Sequence, residues 1–363
     1  MKNKEETAVL RAHAEVAYAK ELAALQKADK HERPTNWLLS PKAVVDYLMG
    51  GVTVGKTEIS PKYFGSRRLI EVAVATLVTD RALLLVGIPG TAKTWVSEHL
   101  AAAISGDSTL LVQGTAGMGE ESIRYGWNYA RLLSEGPSHR ALVPSPILRA
   151  MKDGKIARLE ELTRIPSEIQ DNLITLLSEK LLPIPELETE VQAIEGFNLI
   201  ATANDRDRGV NELSSALQRR FNTVVMPLPP SLEEEVKIVK ARVDKKNWAS
   251  RAASNKELKE IQRLVTIFRE LRSGSSEDGR AKINSPSGTL SPAEAISVVN
   301  SGLALSRHFG TGELKAKDLA AGLQGAIIKD PVQDKTIWQE YLETIVKERK
   351  GWSDLYKACK ETL

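Results

Sequence analysis

Arg81-Ala-Leu-Leu-Leu-Val-Gly-Ile-Pro-Gly-Thr-Ala-Lys-Thr94, followed by Trp95-Val-Ser-Glu-His-Leu-Ala-Ala-Ala-Ile104, is the stretch from which the fold can be read. The apolar run from Ala82 to Val86 predicts a buried strand. Gly87, Pro89 and Gly90 break it, and Val96, Leu100 and Ile104 then recur at helical spacing. Strand, glycine turn, Lys-Thr and helix together make the plan of a phosphate cradle. Gly87, Pro89, Gly90, Thr91 and Ala92 shape a turn whose amides, with those of the helix start, face an anion. Lys93 reaches the outer phosphates, and the Thr94 hydroxyl can ligate Mg²⁺.

A second stretch, Gly50-Gly-Val-Thr-Val-Gly-Lys-Thr57, satisfies the strict pattern G-x-x-x-x-G-K-[ST], whereas the Gly87 site has Ala92 at the sixth position. The flanks decide against it. Residues 42–49 read as an amphipathic helix and not a strand, and Pro61 forbids a helix launched from Lys56 and Thr57. Without both flanks the backbone amides are not presented to an anion.

The 363 residues suffice for one large domain and a smaller one. Hydrophobic content of 42% and charged content of 27% are those of a soluble globular protein. No apolar run reaches membrane-spanning length, and the first residues carry no signal-peptide core. The one cysteine, Cys359, excludes an intrachain disulfide and fits a cytoplasmic location. Lys plus Arg (50) nearly balance Asp plus Glu (47), so overall charge does not argue for a nucleic-acid partner.

Working outward from the cradle, residues 5–28 read as one packing helix, broken at His31-Glu-Arg-Pro34. Ser40-Pro41 caps the helix 42–49, and residues 50–61 read as a loop. A helix over 64–78 leads into the first strand, and Thr109-Leu-Leu-Val112 reads as the next one. Residues 114–146 form a glycine-rich excursion containing Trp127 and Tyr129, long enough to be an inserted functional element. Residues 155–161 then form a short strand ending in Glu160-Glu161, and Ser167 caps a helix to about Lys180. Two runs, 182–185 and 191–194, read as a hairpin. Phe197-Asn-Leu-Ile-Ala-Thr-Ala-Asn204 is a buried strand with a polar end, and Thr223-Val-Val-Met226 is the last strand. Pro227, Pro229 and Pro230 mark a domain boundary. Beyond them the pattern is helical: 232–243, 256–271, 292–308 and 316–328, with a mobile loop at 273–289 and two helices in the tail. The expectation is an α/β fold with a parallel sheet followed by an all-α domain. Its divisions are an N-terminal helical extension (1–60), a nucleotide-binding core (61–230), a helical lid (231–330) and a helical tail (331–363).

In an open parallel sheet, ligands bind at the carboxyl ends of the strands. Those ends carry the cradle, Glu160-Glu161 and Asn204. An ATPase of this plan needs a carboxylate in the Mg²⁺ shell, Glu160, and a base that orients the attacking water, Glu161. Asn204 would position that water or sense the γ-phosphate. Arg219-Arg220 precede a strand and read either as a solvated basic turn or as a finger inserted into a neighbouring subunit's site.

Assembled in this order, the motifs resemble those of MoxR-type AAA+ ATPases, of the clade with a helix-2 insert and a pre-sensor-1 hairpin, over roughly residues 60–330. Gly87-Ile-Pro-Gly-Thr-Ala-Lys-Thr94 is similar to that family's P-loop, alanine included. Glu160-Glu161-Leu-Thr-Arg-Ile-Pro166 is similar to its Walker B segment, residues 182–194 to its hairpin, and Phe197 to Asn204 to its sensor 1. Leu217-Gln-Arg-Arg-Phe221 resembles its arginine-finger segment, which favours Arg220, and residues 114–146 occupy the place of the insert. Three departures stand out. Glu160 replaces the usual aspartate, Arg158 interrupts a normally apolar strand, and Ser291-Pro292 is followed by Ala293 where a sensor-2 arginine is usual. Arg307 or Arg280 could substitute. The resemblance implies a homo-oligomeric ring, typically a hexamer, that hydrolyses ATP with Mg²⁺. It also implies remodelling or maturation of a protein client together with a partner carrying a von Willebrand factor A domain. The rival readings are a nucleotide-gated scaffold with little turnover and a nucleic-acid-associated, restriction-type NTPase.

Overall fold

The computed structural model describes residues 9–204, 211–247 and 253–363, with backbone alone for 244–247. The chain divides into two compact units, one of residues up to Gly87 with Ala92–Met226, the other of Ile88–Thr91 with Pro227–Leu363.

The first unit is built on a five-stranded parallel sheet. Its strands are β1 (Ala82–Gly87), β2 (Leu111–Gln113), β3 (Ile156–Glu160), β4 (Asn198–Asn204) and β5 (Phe221–Val225), in the spatial order β5-β1-β4-β3-β2. Strands β1 and β4 run side by side from Leu83↔Ile200 to Gly87↔Asn204, which places the end of the glycine turn beside the polar end of β4. Strand side chains alternate between faces. Leu83, Leu85, Ile156 and Ile200 therefore join one core with Val96 and Leu100 of the P-loop helix (Lys93–Ser105). Leu84, Ala157, Leu159 and Ala201 join the core on the opposite face.

Residues preceding the sheet pack on the P-loop helix. The expected single helix over 5–28 instead begins at Ala14 and is interrupted at Tyr18 (φ −118°, ψ 23°) between Ala14–Ala17 and Ala19–Ala28; residues 5–8 lie outside the described residues. Long-range contacts hold this segment on the P-loop helix. Glu98 of the P-loop helix accepts from the Ala14 amide (3.2 Å) and pairs with Arg11, and the Tyr18 ring meets His99 edge-on. Lys62, buried, pairs with Glu21 and lies over the rings of Tyr18 and Tyr47. The expected loop at 50–61 is a small antiparallel hairpin, Val52–Val54 with Thr57–Ile59, turning at Gly55 in the left-handed region.

The excursion 114–146 contains a two-stranded antiparallel pair, Tyr125–Trp127 with Leu142–Pro144, enclosing a helix Tyr129–Glu135. A helix not anticipated from the pattern, Pro146–Asp153, follows it. Ser145 caps it by accepting from the Leu148 amide (3.0 Å), with proline at its first position, the same signal as Ser40-Pro41. The expected helix from Ser167 to Lys180 is two pieces, Ser167–Gln170 and Asn172–Glu179. Ser167 is its first helical residue and not its cap. The hairpin beyond pairs Leu181–Ile184 with Thr189–Gln192.

The second unit is helical, and its core joins Leu264, Phe268, Val299, Leu319 and Leu323 to Trp338, Tyr341 and Leu355 of the C-terminal tail. Ser254 and Ser291 close capping boxes with Glu257 and Glu294 at the starts of Asn255–Ser273 and Pro292–Phe309. The stretch expected as a mobile loop is stitched to the helices by Asp334, which is buried. Its carboxylate accepts from the Ser287 amide (2.8 Å) and hydroxyl (2.7 Å) and from the amides of Lys329 (2.9 Å) and Asp330 (2.8 Å). Burial alone would raise the Asp334 pKa, but these donors outweigh it and hold the carboxyl at about 2. A depressed carboxyl stabilises the fold above the unfolded pKa and ceases to do so as pH falls towards the folded one. The contribution of Asp334 is therefore complete above about pH 4 and lost towards pH 2. Asp334→Asn, which turns one acceptor into a donor facing donors, is expected to cost about 2–3 kcal/mol at neutral pH. Chemical denaturation should show that cost shrinking on acidification.

Candidate functional site

The carboxyl edge of the sheet brings four stretches together. The glycine turn leaves β1 with Gly90 at φ 82° and enters the helix through Ala92 at φ 66°, ψ 20°. Glycine would take this left-handed conformation freely; for alanine it costs about 1–2 kcal/mol. Lys93 and Val96, which follow it, are both buried. Lys93 donates to the Gly87 carbonyl (2.8 Å), so its ammonium lies across its own loop. The Thr91 hydroxyl donates to the Ile88 carbonyl (2.9 Å) and tightens the same turn.

The two adjacent acids part company at the end of β3. Glu160 is the last strand residue and is buried on the face of the P-loop helix. Its Oε2 accepts from the hydroxyls of Thr94 (2.9 Å) and Thr202 (2.6 Å), and its Oε1 from Ser97 Oγ (2.5 Å) and Arg158 Nη2 (2.9 Å). Glu161 leaves the strand in the left-handed region (φ 59°, ψ 47°). That turn swings its side chain away, and both of its carboxylate oxygens accept from Asn204 Nδ2 (3.2 and 3.0 Å). Thr202 ties the acids together, since its hydroxyl donates to Glu160 and accepts from the Glu161 amide (3.1 Å).

Gly87, Lys93, Thr94, Glu160, Glu161 and Asn204 thus converge. Arg220 does not join them. It precedes β5, whose first residue pairs with Ala82, so it lies beside the opposite end of β1, about 17 Å of strand away. There its guanidinium donates to Ser178 Oγ (2.8 Å) and the Ala216 carbonyl (2.6 Å). Arg219 is exposed, and its carbonyl accepts from Arg81. Within the helical unit, Arg307 is exposed in the last turn of Pro292–Phe309, and Arg280 is exposed beside Asp278 (3.7 Å). Of the strict motif at Gly50, Lys56 is exposed at the hairpin turn and Thr57 begins a strand, so no helix presents amides there.

Four residues at the site were not singled out as functional from the sequence. Ser97 and Thr202 contact Glu160 directly. Ser97 stands one helical turn after Thr94, and Thr202 two strand residues before Asn204, so same-face spacing from known positions would have found both. Arg158 was visible only as an anomaly. Gly114 donates its amide to the Glu160 carbonyl (2.7 Å), and a Cβ there would lie 2.5 Å from the Glu161 carbonyl oxygen. Among the described residues no group of three or more His, Cys, Asp and Glu could hold a metal unaided. The paired Thr94 hydroxyl and Glu160 carboxylate are instead a partial set of hard oxygen donors, the kind a Mg²⁺ ion completes with phosphate and water.

Residues 82–221 match the family described as "AAA domain (dynein-related subfamily)", and residues 233–360 match "YehL-like AAA+ ATPase C-terminal domain". The uncharacterized protein YehL of Escherichia coli (strain K12) is 39% identical over 352 residues, covering 95% of either chain. This chain belongs to the YehL-like AAA+ ATPases. An uncharacterized protein of Staphylococcus aureus (strain USA300) is 27% identical over 151 residues, 41% of this chain and 56% of that one. Among solved structures, NtrX from Brucella abortus, determined in complex with ATP, superposes with a TM-score of 0.50 at 14% identity. That superposition covers 83% of this chain and 63% of NtrX, and it carries the AAA+ fold alone. The parallel sheet, the helical C-terminal unit and the earlier resemblance to MoxR-type AAA+ proteins agree with this membership. No helix among the described residues of this YehL-like protein is long and apolar enough to cross a membrane.

The two competing P-loop matches are separable by nucleotide binding. Lys93→Ala should weaken ATP binding by roughly tenfold or more, the loss of a charge-assisted contact to phosphate. Lys56→Ala and Thr57→Ala should leave it within about twofold, as surface changes do. Isothermal titration of all three variants checks this.

Proposed function

We propose that this YehL-like protein binds and hydrolyses ATP as a ring of identical subunits. The observation that carries the reading is the division of labour between adjacent acids, Glu160 turned onto the Thr94 hydroxyl and Glu161 turned out to Asn204. The turn 87–93 would take the phosphates on its amides, with Lys93 exchanging the Gly87 carbonyl for phosphate oxygen. Thr94 and Glu160 would hold Mg²⁺, which when bound neutralises charge on the β- and γ-phosphates. Glu161 accepts a proton from water as the water oxygen attacks the γ-phosphorus. The bond to the bridging oxygen breaks, and ADP departs with the electron pair. Asn204, on the same carboxylate, offers an amide that either Glu161 or the γ-phosphate can use, so phosphate entry would free the base. Arg220, remote from its own cradle, suits a finger contributed to a neighbour's phosphate.

In this reading residues 61–230 are the nucleotide core, 231–330 the lid, and 1–60 and 331–363 additions to each. The work done is remodelling or maturation of a client protein, with a partner carrying a von Willebrand factor A domain. The exposed Tyr129 and Leu133, on the helix enclosed by the insert, suit contact with such a client. A location in the cytoplasm fits. A second reading, a scaffold gated by nucleotide with little turnover, draws on the same acids, since Glu160 is saturated by protein donors and Glu161 is engaged by Asn204.

Steady-state assays decide between them. Glu161→Gln should reduce turnover by about 10²–10⁴-fold while nucleotide affinity holds, the usual worth of a general base. Arg220→Ala should lose turnover by about 10³-fold or more if it acts across an interface. Mixing it with Glu161→Gln should then restore activity, because a mixed interface holds one intact base and one intact finger. Wild type that binds ATP in assembled form yet turns over no faster than Glu161→Gln establishes the scaffold instead.

A further inference from the structure

Arg158 is the residue at this site that neither the cradle nor the acid pair accounts for. It is a full charge in the middle of the interior strand β3, 3% exposed. Burying a guanidinium is costly unless it is paired and its protons are used. Here Nε donates to Ser97 Oγ (3.1 Å) and Nη1 to the Ser108 carbonyl (3.0 Å). Nη2 donates to the Thr94 carbonyl (3.3 Å) and to Glu160 Oε1 (2.9 Å). Being two residues apart on one strand, Arg158 and Glu160 share a face, and that face meets the start of the P-loop helix.

The consequence concerns charge. Glu160, with the longer side chain, accepts two donors on each oxygen and has a cation bonded to it. Four donors fill the lone-pair positions of a carboxylate. The acid is thus held against Thr94 and neutralised by the protein itself. In a site with an uncompensated carboxylate, a divalent ion must screen that charge from the incoming phosphates. Here the local sum of Arg158 and Glu160 is already zero.

We propose that Arg158 is a resident countercharge for Glu160. It positions the carboxylate on Thr94 without metal and lets the cradle take up nucleotide with little dependence on divalent cation, while lowering the affinity of the site for that cation. The inference rests on the nucleotide-binding reading above, and Arg158 acts through Glu160, as a positioning residue.

The test is the affinity of a fluorescent ATP analogue, measured in EDTA and in saturating Mg²⁺, on the full chain. Wild type should bind in both, with affinities within about fivefold, a small difference for a phosphate site. In Arg158→Met the EDTA affinity should fall by roughly tenfold or more, as an uncompensated carboxylate repels the phosphates, and Mg²⁺ should restore most of it. Mn²⁺ binding to the ADP-loaded protein, followed by electron paramagnetic resonance, should tighten in the same variant. Arg158→Lys, which keeps the charge and loses the fork, should retain the weak metal dependence of wild type. A purely structural role predicts the opposite for lysine, which should then behave like methionine. The charge-free pair Arg158→Met/Glu160→Gln leaves no buried ion orphaned and so keeps the test open if Arg158→Met does not fold. In EDTA it should bind the analogue several-fold more weakly than Glu160→Gln alone, in which Arg158 is unmasked. Equal EDTA affinities for those two variants, or an unchanged Mg²⁺ dependence in Arg158→Met, overturn the proposal. Wild type that binds no analogue in either condition refutes the nucleotide-binding reading itself.

Discussion

The carboxylate of Glu160 is the point on which the first unit depends. It is a buried charge, and a buried charge is stable only where donors converge on it. Those donors come from three elements: Thr94 and Ser97 from the P-loop helix, Arg158 from β3 itself and Thr202 from β4. Satisfying one side chain therefore fixes the axial position of the P-loop helix against two adjacent interior strands. Apolar packing between Val96, Leu100, Ile156 and Ile200 holds the helix to the sheet, but such packing is non-directional. The hydrogen bonds to Glu160 set where along the strands the helix begins, and hence where the glycine turn opens.

The same constraint separates the acids. Alternation along an extended strand would send Glu161 to the opposite sheet face, into the cluster of Leu159, Ala201 and Ala203. An unpaired carboxylate there would be costly, and the left-handed turn at Glu161 avoids it. Gly114 makes that turn possible by leaving room for two carbonyl oxygens where any side chain would collide. The result is one acid facing the helix and one facing Asn204, from two residues adjacent in sequence. A strained residue is expected where the surroundings over-determine the backbone, and the turns at Glu161 and Ala92 both lie at this edge.

The stretch that precedes the sheet is joined to the same helix from its other side. Glu98 takes the amide at the start of Ala14–Ala17, and His99 Nδ1 lies 2.8 Å from the Tyr47 hydroxyl. Consequently the P-loop helix is buried along most of its length, with sheet on one side and the early helices on the other. The helical unit follows a parallel logic. Glu235 gathers Arg269 and Arg272, Glu270 gathers Tyr341 and Arg349, and Asp334 gathers a loop and a helix start. Each buried carboxylate organises cationic, N–H or O–H donors from distant parts of the chain.

Much of this was legible in the sequence because it is local. An apolar run broken by Gly-Pro-Gly, a Lys-Thr at a helix start, proline after a capping serine and three prolines after the last strand act within a few residues. They were enough for the parallel sheet, the strand, turn and helix at Gly87–Thr94 and the absence of a helix launched from Lys56 and Thr57. Some elements departed from the local pattern, while the helix Pro146–Asp153 carried a local Ser-Pro cap signal that was passed over. The N-terminal helix is interrupted at Tyr18, whose ring meets His99, and Ser167–Glu179 splits at Asp171 although its apolar spacing runs through. The sequence by itself determined the strand, glycine turn and helix around Gly87–Thr94 and the strands that end at Glu160 and Asn204. Only the tertiary structure decided that Glu160 and Glu161 face different partners, that Arg220 lies at the far end of β1, and that Arg158 is bonded to Glu160. Those facts depend on strands and helices from separate parts of the chain meeting at one edge, where a buried charge must find its donors.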